Sequence, residues 1–470
     1  MSENFEMLEK ELLSDNKCGY DKINEEEKKN VFDFSEGYKE FLNACKTERE
    51  CTLWAEEKAI ANGFKNFKEF ETLKPGDKFY IKNTDKSIFL AIMGNKPMTE
   101  GTNIVAGHID SPRLDTKPNP LYEDTGAAYF KTHYYGGVKK YQWLTIPLAI
   151  HGTVVKENGE KINIVIGEKE TDPVFYISDI LPHLGQGQME KTAAKFVEAE
   201  KLNVILGTIP YGDEKVSSKT KLGVMKIIND MYGIKEQDFV SADIEIVPAH
   251  KARDVGFDRS LIAAYGHDDR VCAYTAFEAL MEAETPEKTA ICHLVDKEET
   301  GSGDMTGMQS TFLQNMIARM CAKSMEGYND IMLRDALENS KCLSSDVTAA
   351  YDSNFPEVFE KNNSAYLNGG VSLMKYSGAR GKSGTSEASA EFVAEITKMF
   401  KDNGCVWQIA ELGKVDCGGG GTVAQFLAVL GISVIDCGVP VLSMHAPYEV
   451  VSKFDVYMTY KAYKGFYALS

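Results

Sequence analysis

Five apolar runs in this sequence each end on a histidine or a knot of carboxylates. They are IVAGHIDS with His108 and Asp110, LIAAYGHDDR with His267, Asp268 and Asp269, AICHLVDKEETGSG with Glu298 and Glu299, KCLSSDVTAA with Asp346, and VLSMHAPYE with His445. In an open α/β sheet, ligands bind beyond the carboxyl ends of the strands, so residues just past several strands can meet in one crevice. Taken singly, each element says little. A histidine after a strand is more often a hydrogen-bonded structural residue, a lone aspartate more often caps the next helix, and a Glu-Glu pair reads as a solvated loop. Their joint occurrence changes the balance, because burying several carboxylates at a sheet end costs several kcal/mol per charge unless cations compensate. A pair of divalent metals is the simplest compensation.

The residue set, His, Asp and Glu without thiolate, suits zinc, with cobalt or manganese as substitutes, whereas calcium takes more oxygens. Two such ions about 3.5 to 4 Å apart can polarise a carbonyl and activate water near neutral pH, which is hydrolase chemistry. The Glu298-Glu299 doublet fits a division of labour in which one carboxylate binds metal and its neighbour takes the proton from water.

Periodicity sets the frame around these residues. Helical spacing dominates residues 1–70, and short β-like runs at 78–82, 87–93 and 102–106 begin a central sheet. Between about 115 and 248 the texture becomes aromatic and β-branched, with runs at 127–135, 141–155, 161–166 and 204–209. This predicts a mostly β insertion over 116–248, dividing a discontinuous catalytic domain made of 1–115 and 249–470. After residue 260, strand-like runs at 261–265 and 289–295 alternate with helix-patterned segments at 271–283, 311–325, 386–402 and 422–430, the signature of an α/β fold. The run 431–443, interrupted by Asp436 and Pro440, reads as a buried strand. The glycine tract 416–425 lacks the Lys-Ser/Thr ending of a phosphate loop. It predicts close backbone approach at a pocket mouth, with Thr422 capping the helix that follows.

Composition excludes several partners. With 52 Lys and Arg against 70 Asp and Glu the net charge is −18, a field that repels nucleic acid and anionic lipid surfaces. No run of about 18 apolar residues occurs, so no membrane span is expected. The opening segment lacks the basic flank and apolar block of a secretory signal, and the ten cysteines include no C-x-x-C pair. Free thiols and a cytoplasmic location are the expectation.

Together the motifs GHIDSPRLDTKPNPLYED, DKEETGSG, SSDVTAAYD and MHAPYE resemble the M18 family of metalloaminopeptidases, of the aspartyl aminopeptidase and aminopeptidase I type, over residues 1–470. The resemblance implies a two-zinc exopeptidase fold, with a mixed central sheet flanked by helices and an inserted β dimerisation domain. It implies two Zn2+ per subunit, bridged by Asp268, with His108 and Asp346 completing one site and Glu299 and His445 the other. It makes Glu298 the general base and Asp110 the partner that orients the His108 imidazole. In related enzymes the bridging aspartate is followed by Asn or Asp across a cis peptide. Asp269 occupies that slot here, and the Asp-Asp-Arg form departs from the Asp-Asn of aspartyl aminopeptidase. The likeness further assigns His151 to the active site of a neighbouring subunit and places Lys375 opposite the substrate's first side chain, favouring acidic residues. It implies peptide substrates with a free N-terminus and dimers assembling to a dodecamer. The rival readings are a two-metal aminopeptidase of neutral or broad specificity, an amidase or carboxypeptidase with the same ligands, and a noncatalytic assembly protein. The last predicts eroded ligands, which this sequence does not have.

Overall fold

The computed structural model describes residues 5–13 and 18–470; the helical expectation for 1–4 and 14–17 lies outside the described residues. A nine-stranded mixed sheet forms the body. Its spatial order is Lys65–Asn66, Lys78–Asn83, Ser87–Ile92, Thr289–Val295, Thr102–His108, Lys341–Ser344, Ser433–Gly438, Val371–Met374 and Trp407–Ile409. The four strands from Thr289–Val295 to Ser433–Gly438 run parallel. They are nearly continuous apolar runs because both faces are covered. Alternation sorts their side chains: Leu90, Val105, Cys292 and Leu294 enter one core, while Phe89, Ile104, Ala106 and Ile291 enter another on the opposite face. The first core also receives the helix His267–Met281, buried over most of its length, and the C-terminal helix Lys453–Tyr467 against it.

A five-stranded sheet, in which Leu261–Ala264 pairs with Glu449–Ser452, flanks the body. The run 431–443 is thereby divided: Ser433–Gly438 belongs to the central sheet and Pro440–Leu442 to the five-stranded one. A six-stranded antiparallel sheet is built wholly from Arg113–Asp124, Ala127–Tyr135, Leu148–Val155, Lys161–Ile166, Val204–Gly207 and Ala242–Pro248. It carries its own apolar core around Leu114, Phe130, Trp143, Ile150 and Ile246. A capping box at Thr47 and Glu50 opens the helix Glu48–Ala61. All ten cysteines are free, eight of them buried.

Candidate metal centre

The parallel strands deliver their chemistry at one end. His108 is the last residue of its strand, Asp346 follows Lys341–Ser344 by two residues, and Glu298 and Glu299 lie in a short 3-10 turn after Thr289–Val295. Asp268 sits in the first turn of the helix His267–Met281, behind Gly266 at φ +74. A side chain at Gly266 would put Cβ 1.9 Å from the Arg270 guanidinium, so both the turn and its packing require glycine. The Asp268-Asp269 peptide is cis. His445, also in the left-handed region at φ +66, follows the strand Pro440–Leu442.

These residues converge. His108 Nε2 lies 3.2 Å from Asp268 Oδ1, and His445 Nε2 lies 3.0 Å from Asp268 Oδ2 and 3.5 Å from Glu299 Oε1. Asp268 thus stands between the two imidazoles. His108, Asp268 and Glu299 offer ligand atoms within 4.8 Å of one another, as do His108, Asp269 and Asp346. Glu298 Oε2 stands 3.9 Å from His108 Nε2, facing the cleft.

The surrounding hydrogen bonds fix which atoms point inward. The Nδ1–H of His108 donates to the backbone oxygen of Asp110 at 2.9 Å, and that of His445 donates to the oxygen of Gly137 at 3.0 Å, leaving both Nε2 atoms free toward the carboxylates. Asp110 accepts the backbone N–H groups of Glu298 and Glu299 at 3.1 and 3.2 Å and the Tyr135 hydroxyl at 2.6 Å. Three contributors lie outside the candidate site residues, although Glu449 closes the MHAPYE motif. Glu449 accepts the backbone N–H of Asp268 at 3.1 Å and that of His445 at 2.6 Å, and Tyr135 and Gly137 reach the centre from the strand Ala127–Tyr135 and the turn after it. His267 stays out of the cluster. Its Nε2–H donates to Ile262 O and its Nδ1 accepts from Tyr38, and burial lowers it to about 3, so it is neutral and structural.

The charge balance calls for cations. Burial, reinforced by neighbouring carboxylates, pushes Asp346 and Glu299 well above the usual carboxylate range and Glu298 up to about 7. Burial acts on Asp268 in the same sense, but the two imidazoles hold it below that range. Glu299 Oε1 and Asp269 Oδ1 are buried without a hydrogen-bond partner. Orphaned carboxylate oxygens beside two inward imidazole nitrogens fit a zinc-type donor set.

Two residues singled out in the sequence fall elsewhere. His151 is buried within its own chain: one ring nitrogen lies 2.7 Å from Glu50 Oε1 and the other 3.0 Å from Glu168 Oε1. Both ring nitrogens are thus engaged by carboxylates of its own chain. Lys375 is half-buried and does not line the cleft; Met374, one residue earlier, does. Successive residues of an extended chain face opposite ways. The cleft, of about 590 Å³, is lined around the acidic cluster by Met374, Leu412, Phe426 and Met444, and none of its described lining residues is Lys or Arg.

Buried carboxylates and imidazoles at the carboxyl ends of parallel strands, opening into a cleft, define a metal-dependent hydrolase. The family model described as "Aminopeptidase I zinc metalloprotease (M18)" matches residues 41–467. A Clostridium acetobutylicum protein named "Probable M18 family aminopeptidase 1" is 51% identical over 460 residues, covering 97% of this chain and 99% of that one. The crystal structure of an M18 aminopeptidase from Thermotoga maritima superposes with a TM-score of 0.92 at 44% identity, covering 97% of this chain and 99% of that chain. The fold extends to the yeast mApe1 dodecamer, at 22% identity and a TM-score of 0.75 over 93% of this chain and 97% of that one. The chain belongs to the M18 family of aminopeptidases and is a zinc-type metallohydrolase of peptide N-termini.

Proposed function

We propose that this chain removes neutral N-terminal residues from peptides at a centre of two zinc ions, for which cobalt or manganese can substitute. Asp268, between the two imidazoles, supports the pairing: it would be shared by both ions, which His108 and Asp346 would hold on one side and Glu299 and His445 on the other. Asp269 lies close enough to the first group to add a carboxylate oxygen there. When bound, the ions supply Lewis acidity to the scissile carbonyl and to water. The chain's own residues do the rest. Glu298, facing the cleft without a metal-ligand role, takes the proton from the attacking water and passes it to the departing amine. Asp110 holds the His108 ring and the Glu298 amide in register. The carboxylates of the cluster receive the substrate's free ammonium group.

The preference for neutral residues rests on the cleft. Met374, Leu412, Phe426 and Met444 offer apolar contact, and none of the described residues lining it is a Lys or Arg that would pair with an acidic side chain. The acidic preference expected from Lys375 is therefore set aside. Turnover of leucine 4-nitroanilide should exceed that of the aspartate analogue at least about tenfold, and an N-acetylated leucine substrate should not be cleaved. Equal rates on the acetylated substrate would favour an amidase instead.

The β segment 116–248 serves in this reading as an oligomerisation domain within a cytoplasmic homo-oligomer. Its exposed apolar residues, among them Leu184, Met189, Ile209, Ile227 and Met231, support that role. No described helix is long and apolar enough to cross a membrane.

A further inference from the structure

Two loops form the wall of the cleft away from the metal residues. One contributes Ser377, Ala379, Ser383 and Gly384, the other the glycines 419–421 and Thr422. Both are tied to one buried side chain. Asp436, on the strand Ser433–Gly438, is 1% exposed. It accepts the Thr422 hydroxyl at 2.7 Å on one carboxylate oxygen and the Ser377 hydroxyl at a longer 3.4 Å on the other. Thr385 Oγ1 lies 2.9 Å from Ser377 Oγ and accepts the Ser377 backbone N–H at 2.8 Å, closing the base of the first loop.

The loops also meet directly. The Gly378 N–H donates to Gly420 O at 2.7 Å, and a Cβ on Gly419 would lie 1.9 Å from Gly378 O. The expected close backbone approach is thus present, and Thr422 bonds Asp436 as well as the Ala424 amide of the following helix. Within the sheet, Asp436 is the register partner of Met374, which lines the cleft itself. A buried carboxylate is costly to keep, and charge-assisted bonds to two hydroxyls offset that cost only while both loops hold their places.

We propose that Asp436 is a positioning residue for substrate selection: by holding both loops to one strand it sets the width of the pocket that receives the substrate's first side chain. The inference rests on the reading of this cleft as an aminopeptidase pocket. Asp436 takes no part in the hydrolytic step, so its loss acts on which residue fits and not on proton transfer.

The test uses the zinc-loaded protein and three substitutions. Asp436→Ala removes both acceptors. Thr422→Val removes one donor while keeping side-chain shape. Asp436→Asn keeps one acceptor and can bond a hydroxyl turned to accept, so it serves as the rescue variant. Two quantities are read: the ratio of kcat/KM for leucine over alanine 4-nitroanilide, and hydrogen-deuterium exchange of 377–385 and 418–423. Asp436→Ala should shift the ratio about tenfold and Thr422→Val about threefold, with faster exchange in both loops, and Asp436→Asn should stay within about twofold of wild type. If Asp436→Ala does not fold, Thr422→Val decides, since its lost donor lies in the second loop and the effect must reach the first. Unchanged exchange at 377–385 and an unchanged ratio, with wild-type cleavage intact, overturn the role of Asp436 alone. A wild-type protein that cleaves neither anilide overturns the pocket reading and the selection role with it.

Discussion

The carboxylate of Asp110 accepts the backbone N–H of Glu298 at 3.1 Å. The same carboxylate stands 3.3 Å from Nδ1 of His108, whose N–H also donates to the Asp110 backbone oxygen at 2.9 Å, so one residue touches both the ring proposed to bind metal and the proposed base. Asp110→Asn sets an amide N–H against backbone N–H groups that need an acceptor. Zinc affinity should fall about 10- to 100-fold, measured by competition with a chromogenic chelator. Wild-type affinity in this variant would remove the orienting role.

Glu298→Gln keeps the size of the side chain and loses its basicity. Zinc content by mass spectrometry should match wild type, while kcat drops about a hundred- to ten-thousandfold. Normal turnover would show that another group moves the proton.

His151 separates two accounts of one residue. Set between Glu50 and Glu168, it joins the capping box at the start of the helix Glu48–Ala61 to the strand Leu148–Val155. His151→Gln should cost about 1–3 kcal/mol in urea unfolding, since two largely buried carboxylates lose a charged partner, with kcat per zinc-loaded site within about twofold of wild type. A hundredfold loss of kcat at unchanged stability would restore the role in a neighbouring subunit.

The same cluster sets a pH window. Burial pushes Glu168 upward, but the His151 hydrogen bond and the Lys46 charge bring it down to about 2 from 4.5. Its contribution is full above 4.5 and is lost as pH falls toward 2. His151, which burial alone would lower, is raised from 6.5 by Glu168 and Glu50. That contribution is full below 6.5 and fades as pH rises through the raised value. The stability difference between wild type and His151→Gln should therefore peak between about pH 4.5 and 6.5. A difference flat from pH 3 to 9 would contradict the pairing.

What the sequence reveals follows from how each feature is encoded. The strands 127–135, 161–166 and 289–295 have the same bounds in pattern and structure, because alternation and continuous apolar runs are written locally. The residues proposed to hold metal are legible because each follows such a run closely. The division of 431–443 between two sheets is not, since both halves are equally buried and only a change of pairing partner separates them. The helix expected over 422–430 shortens to Ala424–Ala428, with Thr422 bonded to Asp436 ahead of it. Glu449 closes the MHAPYE motif, yet its role is not legible there because its partners are backbone amides, which nearly every residue possesses. His151 and Lys375 carry roles by likeness alone, and the local environment of each, two carboxylates in one case and the turned face of the chain in the other, points away from them.

Zinc titration of the metal-free protein, with turnover of leucine 4-nitroanilide followed at each addition, bears most directly on a hydrolytic centre built from His108, Asp268, Glu299, Asp346 and His445. Activity should be absent after chelation and rise to a plateau at two ions per chain. Full turnover without metal, or a plateau at one ion, would contradict it.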